Sequence, residues 1–428
     1  MIATLFIACI VLLALGVPVA FALGGGTLAA MLWNGSLPLI ALPKYLFSGI
    51  DVFALMAVPF FILAAELMTG GSLSEALLRF ASQFVGRFRG GMGHTNILTI
   101  TFFSGISGSA LADAAGPGAI MIRMMKKGGY RAEYAAALTS AVSILGPIIP
   151  PSISMIVYAL AYPDINLVGL MIAGIVPGIV IAVAMAVINH VVSVRRNYRG
   201  VPEALTLADY LRNTWHALPA LVLPVLILGG IASGAFTPTE ASVVAVFYAL
   251  FAGRVIYRTL TWKMLPGILA RSALMTVSVL IIVAMSAAFA WVLTVSRVPQ
   301  QLTEWIVAMQ LSPIAFLLAV NVLLLVFGIF IEPLPGVVVL VPILAPIAHA
   351  LGINDLQFAI IVIVNLTMGM ITPPVGGLLF VTTIVARVTL PGLVKELWPF
   401  LWAQLAVLLL LSLVPGLSTA LPAFFGFR

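Results

Sequence analysis

The sequence predicts an all-α polytopic membrane protein built as two inverted repeats, with about ten crossings, two re-entrant helical hairpins and two broken helices. Three observations predict it. The 428 residues are 63% hydrophobic and only 8% charged, with a mean hydropathy of +1.22, whereas soluble domains carry about a quarter charged residues. Two long apolar regions, 93–127 and 313–351, are interrupted by Gly and Pro. A Pro-Pro pair then falls inside an apolar segment in each half, Pro150–Pro151 and Pro373–Pro374.

Apolar runs between charged or Pro/Gly punctuation place spans in order at 2–16, 18–33, 47–68, 132–161 and 166–194, then at 217–233, 238–256, 272–295, 356–386 and 391–421. The first two are short, so Gly16–Pro18 marks either a kink in one helix or the turn between two. Regions 93–127 and 313–351 each have length for two half-crossings and read as hairpins that enter and leave on one side. Basic amphipathic pieces at 72–88 and 262–271 read as interfacial helices, and 302–309, with Trp305, as another on the opposite face.

Charge supports this threading. The clusters Arg79/Arg87/Arg89, Lys126/Lys127/Arg131, Arg195/Arg196/Arg199/Arg212, Arg254/Arg258/Lys263/Arg271 and Arg387/Lys395 fall on one side only if both hairpins are re-entrant. That side is cytoplasmic, and both termini are then periplasmic. The formal net charge of +7 is explained by these anchors and implies no nucleic-acid partner; membrane lipid is the expected contact. Cys9 is the single cysteine, which excludes an internal disulfide and argues against a Cys-based metal site. The N-terminus lacks a basic n-region and reads as the first span, not a cleavable leader.

The halves echo one another. ILGPIIPPS in the first matches MGMITPPVG in the second, and each follows a hairpin region with a Pro-Gly step, Pro117–Gly118 and Pro335–Gly336. Five crossings per half invert one repeat relative to the other, the build of a secondary transporter with its site at the repeat interface. A Pro-Pro pair removes two backbone donors, and in hydrocarbon the freed carbonyls need partners or a cavity to line. Unwound carbonyls and hydroxyls suit a hard cation such as Na⁺, and half-helix N-termini suit an anionic substrate group.

Candidate cation ligands are Ser104, Ser107 and Asp113 at the first hairpin tip, Ser143, Gly146 and Pro147 at the first break, and Gly328, Glu332, Thr367, Gly369 and Thr372 in the mirrored set, with Pro333 and Asn365 beside them. Candidate substrate contacts are Ser107, Ser109, Pro150, Thr372 and Pro373. Asp113 and Glu332 hold near-equivalent places, and an acid inside a membrane is costly unless it is used. Glu240, after Thr237–Pro238, reads as a helix N-terminal charge, and Glu66 as a brace or a snorkelling end. Many of the small residues equally serve close helix packing.

Enzymatic readings fare poorly. Gly105–Gly108 spells the GxSG of rhomboid-type intramembrane serine proteases, but none of His94, His190, His216 or His349 is placed as its base. The chain contains no Walker-type loop, His/Cys cluster or GxGD motif. It is expected not to be an enzyme.

FFSGISGSALADAAGPG, ILGPIIPPS, SGAFTPTEA and NLTMGMITPPVGG, in this order and over this length, resemble the large membrane subunit of a tripartite ATP-independent periplasmic (TRAP) transporter, the DctM/SiaM type. The resemblance covers essentially the whole chain. It implies an elevator-type fold like the ion transporter superfamily, Na⁺-coupled import of an organic acid such as a C4-dicarboxylate or sialic acid, and about two co-transported Na⁺ ions at the hairpin-break pairs. It implies two partners, a small four-helix membrane subunit and a periplasmic substrate-binding protein. The chain starts at the large-subunit start, so the small subunit is expected as a separate polypeptide.

Carried onto this sequence, 93–165 and 313–388 form a transport domain. Residues 1–92, 166–216 (ending in a cytoplasmic connector), 217–312 and 389–428 form the scaffold. The alternative is a stand-alone divalent-anion:Na⁺ symporter of related fold, whose Ser-Asn-Thr-type hairpin tips this sequence replaces with SGISGSALAD and IEPLPG. An ion channel is less compatible with two broken repeats.

Overall fold

The computed structural model describes residues 1–35, 37–69, 73–200 and 206–427, with the side chains of Asn34 and Val307 left out, and the described residues contain helices and no strand. The chain opens with α1 (Ile2–Ala14) and α2 (Val19–Asn34), joined at Gly16 (φ +80°) and packed on each other. The 2–33 region is therefore two helices. A lone Gly and Pro in an apolar run are compatible with both a kink and a reversal, and packing decides.

The expected 47–68 span is split into α3 (Ala41–Ile50) and, after a short turn at Phe53–Met56, α4 (Ala57–Thr69), with a 58° bend between them. The amphipathic α5 (Leu73–Val85) follows; Ser72, where this piece is expected to begin, lies outside the described residues.

The first hairpin region folds as α6 (Gly91–Ser107), the six-residue α7 (Ala110–Ala115) and α8 (Pro117–Lys127), with α6 and α8 packed together. The first broken helix is α9 (Ala132–Ser143) and α10 (Ile153–Ala161), and α11 (Leu167–Ala173) runs almost directly into α12 (Ile175–Arg195).

In the second half, α13 (Leu207–Ala232) starts about a turn and a half before the cluster residue Arg212, because Thr206 and Asp209 form a reciprocal capping box. Next come α14 (Pro238–Phe251), continued by a wider turn at Ala252–Ile256, and α15 (Leu265–Val295). The expected interfacial piece at 262–271 is not a separate helix. Pro266 and Gly267 lie in the first turn, where they are tolerated, and nothing after them interrupts 31 helical residues. The short α16 (Val298–Ala308) carries exposed Trp305.

The second hairpin region is α17 (Pro313–Phe330) and α18 (Pro333–Ala350), and the second broken helix is α19 (Asp355–Gly369) and α20 (Gly377–Ala386). The last span ends at Leu413 in α21 (Leu390–Leu413). Beyond Pro415 the chain turns into α22 (Gly416–Phe424), which packs back on α11.

Seven described helices are long and apolar enough to cross a membrane, and eight if α3 and α4 count as one bent span. Both α17 and α18 are among the seven, so each arm of the second hairpin region has full crossing length. Two sets of helices pack mainly among themselves, joined by α5, which lies on both α6 and α13, and by α18, which lies on both α15 and α19. α1 packs on α2, α15 on α2, α3 and α4, and α14 on α4 and α13. The other group centres on α9 and α19, with α6, α8, α12, α20 and α21 around them. α19 is buried along its whole length from Leu356 to Gly369.

In lipid, apolar burial contributes little to helix association, so close small-residue packing and buried polar bonds hold such a core. Gln404 Nε2 donates to Ala141 O (2.7 Å), and Asn321 Nδ2 donates to Ser412 Oγ (2.9 Å).

Candidate functional site

The first cluster forms where the α6–α7 turn meets the break between α9 and α10. Gly108 ends α6 at φ +60°, and Ser109 starts α7 by accepting from Ala112 N. The turn brings Asp113 back under α6. Ser104 Oγ donates to Asp113 Oδ2 (2.6 Å), and Ser107 Oγ donates to the other carboxylate oxygen. Ser109 N donates to Ser107 Oγ (3.3 Å). Ser104, Ser107 and Asp113 are all buried.

The break packs directly on this turn. A Cβ on Gly146 would lie 2.8 Å from Asp113 Oδ2, and one on Gly108 would lie 2.8 Å from Pro151 O. Ser152 Oγ donates to Pro147 O (2.5 Å) and accepts from Met155 N, which caps α10. Ser143 Oγ donates to Thr139 O (2.8 Å).

The second cluster is built alike in backbone and differently in side chains. Both α9 and α19 unwind through consecutive i→i+3 bonds, Leu145 N and Gly146 N to Val142 O and Ser143 O, and Met370 N, Ile371 N and Thr372 N to Thr367 O, Met368 O and Gly369 O. The peptide bonds Pro150–Pro151 and Pro373–Pro374 are both cis. Gly328 of α17 and Gly369 of α19 touch through backbone, so that a Cβ on Gly369 would collide with the Gly328 main chain.

Thr367 Oγ1 donates to Ile363 O (2.6 Å) and Thr372 Oγ1 to Met368 O (2.9 Å), so the lone pairs of both hydroxyls remain available as acceptors. Asn365 Nδ2 donates to Asn321 Oδ1 (3.0 Å), while Asn365 Oδ1 is buried without a partner. Glu332 is not placed like Asp113. It is the exposed N-cap residue of α18, with no side-chain capping bond; the N3 position that would donate to it is Pro335, which has no N–H. Pro333 itself is buried.

The two clusters interlock. α20 packs on α7, α8 and α9, and α10 packs on α18 and α19, so each half's broken helix meets the other half's hairpin region. Ser140 Oγ and Thr382 Oγ1 share a buried hydrogen bond (2.7 Å) across the halves, and Lys126 Nζ donates to Ala386 O (2.8 Å) at the end of α20.

Of the expected substrate contacts, Ser107 and Pro150 are buried, while Ser109, Thr372 and Pro373 are half-buried. Sequence reasoning misses Asn321, Ser140 and Thr382. Their signal is a lone polar residue in an apolar helix, outside the Pro-Pro and hairpin-tip motifs from which the candidates are read. Glu66 is a brace, accepting from Arg271 Nε (2.9 Å) between α4 and α15. Glu240 closes a capping box with Thr237, whose amide it accepts (2.8 Å), as expected for a helix N-terminal charge.

The described residues are all helical, with paired helix breaks and seven helices long and apolar enough to cross a membrane, the build of a multi-pass membrane protein. The fold of the solved transporter YdaH from Alcanivorax borkumensis is similar (TM-score 0.64, 17% identity, 91% of this chain and 89% of that one). So is that of MtrF from Neisseria gonorrhoeae (TM-score 0.56, 14% identity, 87% and 83%).

Residues 6–417 match the family described as the tripartite ATP-independent periplasmic transporter, DctM component, and the chain belongs to that family, the large permease subunits of TRAP transporters. Its relatives include the sialic acid TRAP transporter large permease SiaM of Vibrio cholerae (36% identical, 97% of this chain and 96% of the relative). The C4-dicarboxylate large permease DctM of Pseudomonas aeruginosa is 38% identical over 89% of each chain. The isethionate permease DctMQ of Oleidesulfovibrio alaskensis is 37% identical over 97% of this chain and 64% of its own length. These relatives are permease subunits, not enzymes.

Proposed function

We propose that the chain is the carrier subunit of an uptake system in the bacterial inner membrane. It imports an organic acid anion together with about two Na⁺ ions, and takes the anion from a periplasmic binding protein. The observation that carries this reading is the interlocked pair of clusters, each joining a turn and an unwound backbone from different helices. Their donors are hydroxyl, carboxylate and carbonyl oxygens, which suit a hard monovalent cation. Ser104, Ser107, Asp113, Ser143, Gly146 and Pro147 would serve one ion. Gly328, Thr367, Gly369 and Thr372, with the unused Oδ1 of Asn365, would serve the other.

The starts of α10 and α20, at Ser152 and Gly376, present helix N-termini for an anionic group, with Ser109, Thr372 and Pro373 the accessible candidates beside them. Relatives named for sialic acid, C4-dicarboxylates and isethionate share an acidic organic substrate, which supports the same class here.

Movement is of the elevator kind, with 93–165 and 313–388 carried as one body between re-entrant hairpin tips. Packing supports adding α12 and α21 to it, because α12 lies on α6 and α9, and α21 on α9 and α19. Helices α1–α4 and α13–α15 form the fixed part, with a small four-helix membrane subunit beside them. The basic clusters face the cytoplasm and both termini the periplasm.

Uptake into proteoliposomes tests this. Labelled acid should accumulate only with the small subunit, the binding protein and an inward Na⁺ gradient all present. Accumulation without the binding protein indicates a stand-alone symporter, and gradient-independent current a channel; either contradicts the proposal.

A further inference from the structure

By sequence α20 belongs to the second half, and by its bonds to the first. It is ten residues long, follows the second break directly, and packs on α7, α8 and α9. Two side-chain bonds fasten it there. Ser140 Oγ of α9 and Thr382 Oγ1 share their buried hydrogen bond (2.7 Å), and Lys126 Nζ of α8 donates to Ala386 O (2.8 Å). The last carbonyls of a helix have no partner within it, and a lysine there also meets the negative end of the helix dipole. Serine and threonine in an apolar helix can satisfy themselves on the carbonyl one turn back. Ser140 Oγ reaches Ala136 O (2.9 Å) and Thr382 Oγ1 reaches Leu378 O (3.2 Å) in that way. Neither hydroxyl needs the other, so what their bond adds is a fixed relation between α9 and α20.

The two bonds give that relation a direction. Lys126 stands at the end of α8, just before α9 begins at Ala132, and Ser140 lies about 12 Å further along α9. Thr382 lies about 6 Å before Ala386, so α20 runs antiparallel to α9. One turn and a half above Thr382, the start of α20 at Gly376 comes level with Gly146. That is where α7 lies. A Cβ on Gly146 would be 2.8 Å from Ala110 N and 2.8 Å from Asp113 Oδ2. α7 has only six residues, between Gly108 and Gly116, and Asp113 ties it to Ser104 and Ser107.

We propose that the Ser140–Thr382 and Lys126–Ala386 bonds couple the first cation cluster to the anion-binding start of α20, an inference that rests on the cation and anion roles proposed above. Clamped at its middle and its end, α20 can follow a movement of α7 only at its start. A cation that draws Asp113 towards the Gly146–Pro147 backbone moves α7, and the start of α20 orders against it. The ion held by one half thereby governs the helix end offered by the other. Lys126, Ser140 and Thr382 touch neither ion nor anion in this scheme and act as positioning residues.

The test is hydrogen–deuterium exchange of the assembled transporter, with Na⁺ as the added ligand and choline at equal ionic strength as the control. In the unaltered protein Na⁺ should slow exchange about fivefold or more in both 110–116 and 376–386, the effect of one hydrogen bond. In Thr382→Val combined with Lys126→Met, 110–116 should respond as before and 376–386 by less than about twofold. Thr382→Ser with Lys126→Arg keeps the hydroxyl and the cationic donor and should restore the response of 376–386. The Val/Met variant should fold, because Ser140 keeps its bond to Ala136 O and Lys126 is exposed; the retained response of 110–116 checks this. Protection of 376–386 in that variant equal to the unaltered protein overturns the coupling, as does failure of the Ser/Arg variant to restore it. Na⁺ protection of 110–116 alone in the unaltered protein also overturns the coupling but leaves the cation site standing. No Na⁺ effect on 110–116 overturns the cation site and the coupling together.

Discussion

Asp113 shows how much one side chain can carry. A carboxylate enclosed by protein loses its hydration, and two serine hydroxyls return only part of it. A cation arriving between Asp113 and the Gly146–Pro147 backbone would supply the missing countercharge. Asp113→Asn keeps the shape and removes the charge, so it should raise the Na⁺ concentration for half-maximal uptake by about tenfold or more, equivalent to roughly 1.4 kcal/mol. Ser107→Ala should impair Na⁺-driven uptake in the same direction. Assembly should be intact in both, and unchanged Na⁺ titrations in both would refute the assignment. Close contact matters as much as charge. Gly369→Ala would drive a methyl into the Gly328 backbone and should lower thermal stability by about 1–3 kcal/mol, whereas Gly229→Ala, with open space at its Cβ position, should leave it unchanged. Thermal unfolding in detergent separates the two.

At the scale of elements, legibility followed the strength of the local chemistry. Pro-Pro pairs and Gly108 break helices by removing donors or demanding positive φ, so both breaks and the first turn were visible. The bend between α3 and α4, the reversal between α1 and α2 and the stop at Pro415 were not. Single Gly or Pro residues allow several outcomes, and neighbouring helices select one. The equivalence of Asp113 and Glu332 failed as geometry because it rested on chain position, while exposure is set by what packs over each turn. Long-range clamps were equally hidden. Glu396 of α21 takes Arg196 at 2.7 Å and Arg131 at 3.1 Å, with Arg196 over the Tyr134 ring. Glu396→Gln should destabilise by about 2 kcal/mol, less than a fully buried pair because Arg131 is 60% exposed. A melting temperature equal to wild type would show that the clamp is idle.

Over the whole molecule, the proposed transport cycle requires two bodies that move past each other, one holding both clusters. The helices around α9 and α19 pack mainly on one another, while α5 and α18 bridge them to α13 and α15, and two positions probe the proposed division directly. A Cβ on Gly105 of α6 would lie 3.3 Å from Pro224 of α13, across the proposed boundary, while Ser140 and Thr382 meet inside the proposed moving body. The single native cysteine, Cys9, can be replaced so that only engineered pairs react. The deciding measurement is Na⁺-driven uptake of the assembled transporter carrying Gly105→Cys with Pro224→Cys, compared with Ser140→Cys with Thr382→Cys, each before and after oxidation. Oxidation should stop transport in the first pair, reversibly with reductant, and leave the second at its reduced rate. Full uptake with the first pair completely crosslinked would contradict the moving-body account.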